Sequence, residues 1–123
     1  MKALAALAWA AVLPASACPL PEPALHDGEL QAAWQVAGAP VVVGRMFTIE
    51  LQLCPAAATL LRVDATMPEH GHGMNYRPSV TALGGGRWRA EGLMFHMPGR
   101  WDLTFDIVTG NTTQRLASTL RVE

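Results

Sequence analysis

From Glu29 onward the chain alternates apolar and polar residues with period two, the pattern of strands with one face buried. The clearest run is Val41 to Leu53, where Phe47, Ile49, Leu51 and Leu53 alternate with Thr48, Glu50 and Gln52; Gly44 interrupts its start, which could be a separate short strand. Trp101, Leu103, Phe105 and Ile107 alternate in the same way with Asp102, Thr104 and Asp106. Further strands are predicted over Leu30–Val36, Leu61–Met67, Pro78–Leu83, Arg87–Met97 and Thr112–Val122. Turn residues separate them: Gly38-Ala39-Pro40, Cys54-Pro55, Gly84-Gly85-Gly86, Pro98-Gly99 and Gly110-Asn111. About seven short strands with turns every eight to twelve residues, and no convincing helix, predict an all-β fold. The expected architecture is an immunoglobulin-like antiparallel β-sandwich, with the strands around Phe47 and Phe105 supplying its core. A small barrel is the alternative.

The first 28 residues do not follow this pattern. Residues 1–17 read as a signal peptide: Lys2, an apolar stretch from Ala3 to Val12, then a small-x-small site ending at Ala17. The apolar stretch is too short to span a bilayer. Residues 18–28 carry three prolines and read as an extended leader, so the sandwich domain is expected over residues 29–123. Such a domain is small but large enough for one core. Cys18 directly follows the cleavage site. It is expected to join Cys54, the other cysteine, in a disulfide, as exported chains commonly do. Lipidation of Cys18 is the alternative, although Ala15 is a poor match for the large apolar residue of a lipobox.

These features predict a periplasmic protein. The net charge is −1, and Lys2, the single lysine, lies in the signal peptide. The arginines are scattered, which argues against nucleic acid and against an anionic membrane surface as partner. No later apolar run is long enough for a membrane span.

The candidate chemistry lies in two short stretches, MPEHGHGM at Met67–Met74 and FHMPG at Phe95–Gly99. Imidazole suits copper, zinc, nickel and iron, whereas a thioether is soft and favours Cu(I). A cluster mixing both, with no free thiolate, points to copper, Cu(I) ahead of Cu(II) and zinc behind them; Glu69 keeps zinc and nickel open. In an extended segment residues two apart share a side. His70, His72 and Met74 are therefore the core ligand candidates, and His96, Met97 and Met67 could complete the set. Met67 divides evenly between ligand and core. His26 reads as a surface residue, Met94 as core through its alternation with Trp88 and Ala90, and Met46 as ordinary packing. The two stretches meet at one pole of a sandwich only if the strands leading into them run in the same direction or the loop folds back. No serine or cysteine is paired with a base, and no phosphate-binding glycine motif occurs, so an enzyme is not expected.

DATMPEHGHGM and GRWRAEGLMFHMPGRWDLTFDI together resemble the YtkA-like family of small exported domains and, more distantly, the FixH-like proteins linked with assembly of copper-containing oxidases. The resemblance rests on Met67, Pro68, His72, Gly73 and Met74, and on Phe95, Met97, Gly99 and Trp101. It implies an immunoglobulin-like sandwich and a place in periplasmic copper handling, with another periplasmic or membrane copper protein as partner. FixH-like proteins carry a membrane anchor, which this chain lacks once its signal is removed. The expected function is a copper-binding chaperone, buffer or carrier. The alternative is a metal-free interaction module docking on an oxidase or transporter subunit, and a copper-dependent redox enzyme is a third reading.

Overall fold

The computed structural model describes Cys18–Glu123; the signal peptide reading of residues 1–17 lies outside the described residues. Nine strands form: β1 (Leu25–Asp27), β2 (Leu30–Val36), β3 (Phe47–Cys54), β4 (Thr59–Met67), β5 (His72–Gly73), β6 (Ser79–Gly84), β7 (Arg87–Leu93), β8 (Gly99–Thr109) and β9 (Thr112–Val122). They build two antiparallel sheets, β1-β2-β3-β7-β6 and β5-β4-β8-β9, which pack as an immunoglobulin-like sandwich. Two separate sheets exclude the barrel.

The period-two pattern places the core. Ile49, Leu51 and Leu53 of β3 face Leu103, Phe105 and Ile107 of β8, with Val63 and Ala65 of β4 beside them, all buried. Among the described residues no polar or charged side chain is buried. The strands predicted to supply the core do so.

The structure adds two strands to the seven expected. β5 forms inside the histidine loop. β1 forms within the segment read as leader, where Leu25 to Asp27 pair with Ala32 to Leu30. That segment is integral to the fold: Leu20 is buried, and Cys18 is bonded to Cys54. With its sulfur in the disulfide, Cys18 has no thiol left to carry a lipid. The Cys18–Cys54 bond closes a loop spanning 36 residues in sequence. A Cys18→Ala/Cys54→Ala variant is expected to lose about 3 kcal/mol, from the loop entropy the bond removes from the unfolded chain. Urea unfolding of the oxidised protein beside the variant measures this.

Two strand ends differ from expectation, both through glycine. Val41–Met46 is a loop rather than the start of a strand. Gly44 adopts φ +80°, and the Arg45 N–H closes a turn on the Val42 carbonyl. The strand Arg87–Met97 stops at Leu93. Along the β3–β7 ladder Thr48 pairs with Glu91 but Phe47 with Leu93, so Gly92 of β7, at φ +88°, is an extra residue: a β-bulge. The bulge inverts the inside–outside phase beyond it. Leu93 and Phe95 turn inward, both 0% exposed, and Met94, expected in the core, is turned off it and half-buried.

β4 and β7 therefore end, and β3 and β8 begin, at one pole. The disulfide, the Gly84–Gly86 turn and the β8–β9 turn lie at the other. Both histidine stretches fall at the first pole.

Candidate metal centre

The first stretch folds as a tight hairpin. Met67 pairs with His72 and Thr66 with Gly73, leaving Pro68–Gly71 as the turn. The backbone N–H groups of His70 and Gly71 both donate to the Met67 carbonyl, at 3.2 and 2.9 Å. Gly71 supplies the left-handed residue, at φ +65°. Pro68 cannot donate to a ladder and starts the turn. Opposed residues of an antiparallel pair share a face. His72 thus lies on the inner-face side of the sheet, like Met67, but beyond the end of the core, where it is exposed. Met74 returns to the same face: its N–H donates to the carbonyl of buried Ala65 at 3.3 Å, and its side chain is half-buried against the core. His70 sits in the turn rather than on a shared extended face with His72 and Met74.

The second stretch crosses between the sheets as the β7–β8 connection. Phe95 is the inward anchor, stacked on Trp101 with ring centroids 4.5 Å apart and planes 9° from parallel, and edge-on to Phe47 at 4.9 Å. His96 follows at the rim, its ring 5.5 Å from Trp101 at 77°. The Trp101 indole N–H donates to the Met97 carbonyl at 3.0 Å. Trp101 therefore holds both residues of the His-Met pair, one by its ring and one by its N–H. Pattern alone placed Trp101 only in the core; its spacing four residues beyond Met97 is the trace of this second role.

The two stretches meet. The centroids of His72 and His96 are 6.1 Å apart, and those of His70 and His72 are 6.2 Å apart. A metal about 2 Å from a ring nitrogen lies roughly 3.2 Å from that ring's centroid, so two imidazoles on one ion have centroids up to about 6.4 Å apart. His72 with His96, and His72 with His70, are within this span.

His96 Nδ1 is buried and has no hydrogen-bond partner. A buried acceptor or donor left unpaired costs about 1–3 kcal/mol, and such groups in native folds usually have a role. Among the described residues no three of His, Cys, Asp and Glu are grouped to hold a metal by themselves. A metal site at this pole would have to draw on thioether sulfur as well. Met97 and Met74 are half-buried beside the histidines. Met67 is scaffold first: it is 1% exposed, and its methyl lies where Gly99 leaves room, 2.9 Å from the position a Cβ would take there.

His26 lies apart from this pole, and its ring nitrogens are satisfied by Glu22 at 2.7 Å and Gln31 at 3.1 Å. The Glu22 carboxyl is held below its ordinary range by the Ala24 N–H and then by His26. This network fastens β1 to the chain before it, as expected for a structural surface histidine.

No protein-family model matches the chain, and no curated protein or solved structure matches it either.

Proposed function

We propose that the protein is a periplasmic copper-binding carrier, buffer or chaperone that holds Cu(I) at the histidine pole. The observation that carries this reading is the approach of His72 to His96, 6.1 Å between centroids, from two connections far apart in sequence, with His96 Nδ1 buried and unpaired. With no group of three His, Cys, Asp or Glu there, Met97 and Met74 are the remaining donors for such a set, and thioether favours Cu(I) over Cu(II) and over zinc. His72, His96 and Met97 are the central ligands, with Met74 and His70 at the margin and Met67 beneath. The resemblance to the YtkA-like family agrees with this role. The disulfide agrees with an oxidising compartment such as the periplasm, and no helix among the described residues is long and apolar enough to cross a membrane. A site on a rim, between a hairpin turn and a connection, leaves one side open for ligand exchange with a second copper protein. The role is delivery of an ion, without turnover.

Anaerobic titration with Cu(I) against a chromophoric chelator tests the reading. The expected result is one ion held more tightly than micromolar, weakened roughly a hundredfold in His72→Ala/His96→Ala, a loss of about 2.7 kcal/mol. Binding no tighter than micromolar in the wild type, or unchanged in the double variant, overturns it. A partner captured equally well after chelation and in the double variant would instead identify a docking module.

A further inference from the structure

All five methionines of the described residues, Met46, Met67, Met74, Met94 and Met97, lie at the histidine pole. Two of them, Met46 and Met94, are outside the histidine site. Met46 immediately precedes Phe47 and Met94 immediately follows Leu93, and Phe47 and Leu93 are the last pair of the β3–β7 ladder. Both members of that pair point into the core, Phe47 9% and Leu93 0% exposed. Successive residues alternate faces, so Met46 and Met94 fall on the outer face of the five-stranded sheet, on neighbouring antiparallel chains. Side chains opposed in this way have Cβ atoms on the order of 5 Å apart, within reach of two thioethers converging on one ion. The Gly44 N–H, donating to the Phe95 carbonyl at 2.8 Å, holds the two segments together beyond the ladder.

Packing does not account for this pair. Met46 is 52% exposed, and neither Met46 nor Met94 belongs to the core or to the side chains packed against it. Met46 ends the Val41–Met46 loop and Met94 lies just past the end of β7, so neither residue is fixed by a strand position. What methionine brings to such a position is a polarisable sulfur donor on a flexible stem. The Gly92 bulge is what turns Met94 outward, to the side of the sheet on which the alternation puts Met46.

We propose that Met46 and Met94 form a second site, built of thioethers alone, for a soft monovalent ion: Cu(I) or its redox-inert analogue Ag(I). Two thioethers are fewer and weaker donors than two imidazoles with a thioether, so the site is weaker than the histidine cluster and releases its ion readily. Thioether-only ligation also favours the soft monovalent ion over zinc. Binding is coordination without electron transfer. The site stands on its own residues and does not require the histidine cluster to hold copper.

Native mass spectrometry and calorimetry with Ag(I), on the chain with its disulfide intact, test the proposal. Met46→Leu/Met94→Leu, which keeps the apolar volume, is expected to bind one Ag(I) fewer than the wild type. His72→Ala/His96→Ala is expected to keep that ion. In the wild-type protein labelled with 13C-methyl methionine, the ε-methyl resonances of Met46 and Met94 should move with Ag(I) and stay still with Zn(II). Unchanged stoichiometry in the leucine variant, or methionine methyls that do not respond to Ag(I), overturns the proposal. If the leucine variant loses an ion and the histidine variant loses none, the histidine reading fails while this one stands.

Discussion

Trp101→Ala is expected to destabilise the fold by about 3–5 kcal/mol, the range for removing a large aromatic from a close-packed core. Trp101 is 0% exposed and stacks on Phe95, which in turn packs edge-on to Phe47, so one ring ties β8 to the start of β3 and to the β7–β8 connection. The cavity opens directly beneath the histidine pole. In a domain of this size the loss lowers the melting temperature by roughly 15–30 °C. Trp101→Phe separates packing from positioning. It retains an aromatic ring but loses the N–H that binds the Met97 carbonyl. Its stability cost should be nearer 1 kcal/mol, while Cu(I) affinity falls because the His96-Met97 turn is no longer held. Thermal unfolding together with chelator competition on both variants gives the answer. A Trp101→Phe protein with unaltered Cu(I) affinity would show that Trp101 is core alone.

Gly86→Ala is expected to cost about 4 kcal/mol, combining left-handed backbone with overpacking. Gly86 has φ +81°, and a Cβ there would meet the Leu53 carbonyl oxygen at 2.8 Å, the Ala56 Cα at 2.9 Å and Gln52 Nε2 at 2.9 Å. Two of these three are backbone atoms at the corner that holds the Cys54 disulfide, so little can move aside. The Gly86 carbonyl also accepts from the Leu53 N–H at 2.8 Å, fixing the approach. Gly84 has positive φ too, yet a Cβ there meets nothing within 4 Å. Its alanine variant should lose only about 1 kcal/mol. Chemical denaturation of the two variants distinguishes the positions; equal losses would mean that backbone strain alone matters in this turn.

The same contrast runs through the fold. Three consecutive glycines read as a hairpin turn, and they form one, but which of them is sterically indispensable depends on the Pro55 corner folding over Gly86. The alternation from Phe47 to Leu53 and from Trp101 to Ile107 was legible because a half-buried strand repeats every two residues whatever its neighbours are. β1 and β5 were not legible. Leu25–Asp27 and His72–Gly73 are too short to show a period, and they become strands only because β2 and β4 offer open edges. The outward turn of Met94 was hidden for a related reason: Gly92 shifts the phase by one residue, and a bulge leaves no mark on an alternation already interrupted by glycine.

For the site, the sequence by itself determined the chemistry and the local form. Imidazoles and thioethers set the soft-donor character of the candidate site, and Pro68 and Gly71 the turn, while the structure decided that Cys18 joins Cys54. Only the tertiary structure decided which of these groups meet. It brought His96 to His72 because β4 and β7, in different sheets, end at the same pole, a fact of strand direction that no local pattern encodes. It drew Met67 into the core over Gly99, placed Trp101 against both His96 and Met97, and gathered every methionine of the described chain at one end. Residue types are local and can be read in order along the chain. Proximity across two sheets arises from long-range pairing and the packing of their inner faces, and it exists only once the chain has folded.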